Sequence, residues 1–136
     1  MTFIDTNVVV YASDPSDSRK NELAVEILAD AFDNDQYVIS SQVLNEFVNT
    51  ALNKLKKSDE EVVGHLRLLK TMRVVPVSAE WLERAVEIRS RYDLQFYDSL
   101  LLAAAEALGC DKFLTEDLND GQMYGSVKAV NPFKQN

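Results

Sequence analysis

Short β-rich runs alternate with stretches of helical spacing along this chain of 136 residues, and that alternation leaves few architectures open. Thr2-Phe3-Ile4, Tyr37-Val38-Ile39, Val74-Val75-Pro76-Val77 and Lys112-Phe113-Leu114 read as strands, with Val127-Lys128-Ala129-Val130 as a short last one. Between them lie helical patterns. A turn capped near Thr6 follows Asp5, and Leu23, Ala24, Ile27, Leu28 and Ala31 mark an amphipathic helix after the loop Asp14-Pro15-Ser16-Asp17-Ser18. Ser40-Ser41 can cap a helix that turns Val43, Leu44, Phe47, Val48, Ala51, Leu52 and Leu55 inward. Ser58, with acids in the following turn, opens another through Val62, Leu66 and Leu69. Ser78 caps a helix with Trp81, Leu82, Ala85 and Ile88 inward, and Gln95 to Leu108 form the most apolar helix, stopped by Gly109. Strand–helix alternation of this kind predicts an α/β fold, a parallel sheet covered by helices on both faces and joined by right-handed crossovers.

The chain length predicts one domain over residues 1–136. With 46% apolar and 26% charged residues, the composition suits a packed core and excludes a disordered or low-complexity chain. The longest apolar run, Leu100 to Ala105, is six residues, against the roughly 18 needed to cross a bilayer. Met1 leads directly into Thr2-Phe3-Ile4-Asp5, unlike a secretory signal, and Cys110 is the single cysteine; both predict a cytoplasmic protein.

Net charge is −8, which by itself argues against a polyanionic partner. The charge is unevenly spread, however. Residues 51–91 carry nine bases and six acids, including Lys54, Lys56, Lys57, Arg67, Lys70, Arg73, Arg84, Arg89 and Arg91, enough for a local basic rim between acidic flanks.

Most acids fall where solvated helix faces place them, but four are embedded in apolar sequence: Asp5, Glu46, Asp98 and Asp117. In a parallel sheet, functional residues gather beyond the carboxyl ends of the strands, where strand order reverses, and all four can converge there. Taken one at a time they read as a turn residue, an exposed helix acid, a helix N-terminal acid and an Asx-turn residue. Together they repel one another unless a cation neutralises them. All-oxygen coordination fits Mg²⁺ or Mn²⁺, whereas zinc would recruit His or Cys, and only His65 and Cys110 exist. His65 reads as a surface or packing residue. An ion held by these acids suits phosphodiester hydrolysis, with the basic middle third holding flanking phosphates. Thr6 and Asn7 are placed to orient Asp5 or a bound water, and Ser99 to do the same beside Asp98.

These residues resemble the PIN domain, in particular the VapC-type toxin ribonucleases of toxin–antitoxin pairs. The likeness is carried by Phe3-Ile4-Asp5-Thr6-Asn7-Val8, Ser41-Gln42-Val43-Leu44-Asn45-Glu46-Phe47, Phe96-Tyr97-Asp98-Ser99-Leu100 and Leu114-Thr115-Glu116-Asp117-Leu118-Asn119-Asp120-Gly121. It implies a three-layer α/β/α sandwich with a central parallel sheet and a Mg²⁺- or Mn²⁺-dependent endoribonuclease acting on RNA. It also implies a homodimer and a cognate antitoxin whose tail enters the active site. By position Asp5, Glu46 and Asp98 look like the core metal-binding acids and Asp117 like the fourth, with Glu116 and Asp120 near enough to compete for that place. Two other readings stand beside it. A phosphoryl-transfer enzyme of the haloacid dehalogenase type also puts an Asp after the first strand, but its second Asp is Asn7 here. A catalytically silent domain would bind RNA or protein through the pocket or through Tyr11, Trp81 and Tyr97.

Overall fold

A computed structural model describes residues 1–135. The chain runs β1 (Thr2–Ile4), α1 (Thr6–Ala12), α2 (Ser18–Asp33), β2 (Tyr37–Ser40), α3 (Ser41–Asn53), α4 (Asp59–Leu69), β3 (Arg73–Val75), α5 (Trp81–Tyr92), α6 (Phe96–Ala107), β4 (Lys112–Leu114), β5 (Met123–Tyr124) and β6 (Val127–Val130). The strands form one sheet in the order β3-β2-β1-β4-β6-β5. Five of them are parallel, and β5 runs antiparallel to β6 at the edge. Helix α1 packs against both α2 and α3, α3 packs against α4, α5 lies on α6, and α6 lies on β4 and β6, which completes the α/β/α sandwich.

Successive strands first step outward from β1 through β2 to β3, then return to its other side at β4. The crevice between β1 and β4 is therefore the point of reversal. Register sets what opens there: Ile4 pairs with Leu114, so Asp5 and Thr115 emerge side by side, with the Asp5 amide donating to the Leu114 carbonyl at 3.0 Å. Beneath them Phe3 and Phe113, register partners and both buried, stack at 5.4 Å and 7°. Residues 99–105 of α6 are all buried, as expected for the most apolar helix, and its end at Gly109 has φ 74°.

Several local expectations shift. Asp5, not Thr6, caps α1, its carboxylate accepting the Thr6 amide at 2.6 Å. Ser58 forms the full capping box with Glu61. Ser40 stands at the N-cap of α3 without a capping bond, and Ser41 Oγ instead accepts the Val77 amide at 3.0 Å, fastening the chain beyond β3. Helix α5 begins only at Trp81, because Ser78 Oγ is used on the Glu80 amide in the preceding turn. Leu82, expected inward, is 41% exposed. The antiparallel β5 is an addition to the expected parallel sheet. Among the described residues no helix is long and apolar enough to cross a membrane.

Candidate active site

Four elements deliver the four embedded acids to one open cavity of about 810 Å³ at the carboxyl end of the sheet. Asp5 comes from the end of β1, Glu46 from the second turn of α3, Asp98 from the first turn of α6 and Asp117 from the segment after β4. Asp14, Asp17 and Glu116 line the same space, so it holds seven carboxylates.

Asp5 is the buried one, 6% exposed. Its carboxylate accepts Thr115 Oγ1 at 2.8 Å, Asn7 Nδ2 at 3.3 Å and the Thr6 amide. Burial still dominates, and with Asp98 and Asp117 adding like charge, its pKa is pushed up to about 7 against those lowering hydrogen bonds. Asp98 is also raised, by burial first and then by Asp117 and Glu46. The charges of all four acids are thus felt across one space.

A shell of neutral donors orients them. Asn7 Nδ2 reaches Asp5, Thr115 Oγ1 (3.2 Å) and Asp117 (3.0 Å). Thr6 Oγ1 donates to Glu46 at 2.6 Å, so it serves Glu46 through its hydroxyl and Asp5 through its amide. Gln42 Nε2 spans Glu46 (3.3 Å) and the Tyr97 carbonyl (2.9 Å), tying α3 to the residue before Asp98. Ser99 does not serve Asp98; its buried hydroxyl donates to the Gln95 carbonyl at 2.9 Å within the helix. Two buried oxygens here, Asn7 Oδ1 and Gln42 Oε1, have no partner in the structure.

The competitors for the fourth position are separated by their partners. Glu116 accepts Tyr11 Oη at 2.6 Å and pairs with Lys20 at 2.9 Å. Asp120 accepts the Asn131 amide at 2.8 Å, pairs with Lys134 at 3.3 Å and does not line the cavity. Of the three, only Asp117 lines the cavity with neutral donors alone. The basic rim expected from residues 51–91 is not assembled: of its nine bases only Lys54 lines the cavity, while Arg84 is held by Glu106 at 2.7 Å and Glu87 at 3.0 Å. His65 stands edge-on to Phe47 at 6.1 Å, a packing residue.

Thr115 was not singled out by sequence. It is fully buried and its hydroxyl donates to Asp5 while accepting from Asn7 and the Asp117 amide. A hydroxyl directly after the strand that pairs with β1 was the available signal. Thr115→Val keeps the shape and removes this junction, and is expected to cost about 1–3 kcal/mol in urea unfolding at neutral pH. An unchanged midpoint would show that the junction carries no stability.

The all-oxygen donor set, in which Asp5 and Asp98 are raised by burial and then by neighbouring like charge, fits a hard divalent cation better than zinc. The acids surround the space without closing on a point: among the described residues no three His, Cys, Asp or Glu side chains already converge as a metal cluster. A cation there would complete its shell with water, as Mg²⁺ commonly does.

Comparison with known proteins bears on this geometry. No curated protein matches the sequence. Among solved structures, the chain is similar to a toxin–antitoxin complex from Klebsiella pneumoniae, with 20% identity over 97% of this chain and 98% of that one and a TM-score of 0.71. VapC20 of Mycobacterium tuberculosis, a sarcin-ricin loop cleaving toxin, matches at 22% identity over 83% and 87%, with a TM-score of 0.68. FitAcB from Neisseria gonorrhoeae matches at 21% over 99% and 100%, TM-score 0.71. These likenesses concern the fold, while the profile of the PIN domain matches residues 2–121, from the first strand through the segment bearing Asp117. A parallel sheet that reverses at β1, with its embedded acids gathered at that crevice, is accordingly the fold of a family in which this chain has its place: it belongs to the PIN domain family.

Proposed function

We propose that this PIN domain is a Mg²⁺- or Mn²⁺-dependent endoribonuclease, the toxin of a toxin–antitoxin pair acting in the cytoplasm, with Asp5, Glu46, Asp98 and Asp117 as metal-holding and catalytic acids. The observation that carries the reading is the gathering of these four carboxylates, from four separate elements, in one cavity where burial first, and then the like charges of Asp98 and Asp117, push the pKa of Asp5 up to about 7. A fold bearing such repulsion has a use for it when a cation is to be bound. Bound there, the cation would acidify a water and offset the charge that develops on the attacked phosphodiester.

The chain's own residues do the rest. Thr6 and Gln42 hold both Glu46 oxygens, one each, so the side chain cannot swing out of the cavity. Thr115 and Asn7 fix Asp5 and Asp117 relative to each other. Glu116, already paired with Lys20, is left out of the metal-holding set. In hydrolysis the water oxygen forms the new bond to phosphorus as the bond to the leaving ribose oxygen breaks, and a carboxylate in the cavity takes the proton from the water. The toxin–antitoxin complexes among the structural neighbours support a cognate antitoxin as partner, and the family resemblance supports a second copy of the chain in a homodimer.

Purified protein is expected to cleave RNA with Mg²⁺ or Mn²⁺ and to be silenced by EDTA. Cleavage that survives chelation, or RNA bound without cleavage under any divalent ion, would overturn the enzymatic reading, the second result in favour of a catalytically silent binding domain.

A further inference from the structure

The walls of the acidic cavity differ in charge. The α1–α2 loop supplies Asp14 and Asp17, and the cavity is also lined by Glu116, which is paired with Lys20. Helix α3 and its C-cap line the cavity with Glu46, Asn49, Thr50 and Lys54, spaced so that they fall on one helical face. Beyond Glu46 this face bears no carboxylate. Asn49 Oδ1 already accepts Asn53 Nδ2 at 2.6 Å, which leaves the Asn49 amide free to donate into the cavity. The helix ends at Asn53, the amide of Lys54 at its C-cap closes on the Thr50 carbonyl, and the chain then turns through Lys56 at φ 56°. Lys54 is exposed and, among the described residues, has no carboxylate within ion-pair distance.

An anionic strand leaving the acidic centre along the α3 face meets no carboxylate on that face beyond Glu46, only neutral donors and then the Lys54 ammonium, whose charge also reaches Asp14 of the α1–α2 loop. Eight residues at 1.5 Å per residue place Lys54 about 12 Å along the helix from Glu46, a few nucleotides of a single strand away. We propose that the face of α3 formed by Asn49, Thr50 and Lys54 is the RNA-binding track of this protein, with Lys54 receiving a backbone phosphate a few nucleotides from the one at the acidic centre. The assignment rests on RNA being the substrate, and it replaces a diffuse basic rim by one defined contact.

The test is fluorescence anisotropy with a 5′-labelled, mixed-sequence, single-stranded 20-nucleotide RNA, in the Asp98→Asn background with Mg²⁺ and across a salt series. For one lost phosphate contact on a single strand, Lys54→Gln is expected to lower the magnitude of the log–log salt slope by about 0.7, which weakens binding about fourfold at 0.15 M salt and about eightfold at 0.05 M. Lys54→Arg should keep the parent affinity and slope, and Lys70→Gln, whose side chain does not line the cavity, should leave both unchanged. A melting temperature equal to the parent's shows that Lys54→Gln is folded. Parent affinity and slope in Lys54→Gln, or an equal loss in Lys70→Gln, would overturn the track. A slope change in a protein whose Asp98-intact form never cleaves would leave the track standing while the nuclease reading falls; no RNA binding by the parent would end both.

Discussion

Asp98→Asn is expected to slow RNA cleavage by on the order of 10²- to 10³-fold, with a fold at least as stable as the wild type in the absence of metal. Asp98 sits in the first turn of α6, and its carboxyl is pushed up by burial and then by Asp117 and Glu46. An amide has the same shape and removes one of the repelling charges, so the metal-free molecule gains what the cation would otherwise have to supply. It also removes an anionic oxygen from the set that would hold the cation, and the reaction loses its support at that point. Single-turnover cleavage of a labelled RNA, alongside thermal melting in EDTA, separates the two effects. Equal rates for variant and wild type would remove Asp98 from the site, and a melting temperature well below the wild type's would show that the side chain is structural.

The second large effect is a linkage between pH, metal and stability. In the folded protein Asp5 has a pKa of about 7 against an ordinary value of 3.8. Between those pH values the folded state keeps a proton that the unfolded chain has released, so metal-free stability falls as pH rises from about 4 to about 7 and then levels. The span corresponds to something of order 4 kcal/mol. Asp98 acts in the same direction. The lowered carboxyls of Asp14, Glu61, Asp111 and Asp120 act in the opposite one; the last three are exposed and screened by solvent, and all four are common to wild type and an Asp5 variant. The clean measurement is therefore the difference between wild type and Asp5→Asn in urea unfolding across this range, expected to be steep in EDTA. Because a cation needs the carboxylates ionised, Mg²⁺ should raise the melting temperature at pH 8 and have little effect at pH 5. At a hundredfold excess over its Kd the stabilisation is about 2.7 kcal/mol. A Mg²⁺ effect of the same size at both pH values, or a wild type whose pH dependence matches that of Asp5→Asn, would contradict the clustered-acid site.

The frame of the fold was legible because it rests on local periodicity. The three-residue strand β1 followed at once by an acid, the serine opening α4 and the apolar run of α6 each announce their element within a few positions. The four acids stood out for a related reason, polar charge inside apolar stretches, which sequence shows directly. What sequence did not show depends on which segments meet. Thr115 is an ordinary strand-end threonine until register sets it beside Asp5. Strand β5 has two residues and exists through its pairing with β6 across a turn in which Gly125 has positive φ. The nine bases of the middle third count as a group along the chain, yet they are distributed over the α3–α4 connection, α4 and its C-cap, β3 and α5, and a strong partner such as Glu106 claims Arg84 from a distance of 22 positions. Leu82 fits the helical pattern and still faces outward, because α5 turns a narrow stripe centred on Ala85 and Ile88 to α6.

The antiparallel hairpin at the end of the sheet has a consequence for company. One border of the sheet is the two-residue β5 and the other is the three-residue β3, which Pro76 follows at once. Neither offers a backbone long enough for a visiting strand to zip onto. Whatever grips this molecule, whether nucleic acid, inhibitor or twin, has to recognise it by the side chains of its helices and loops.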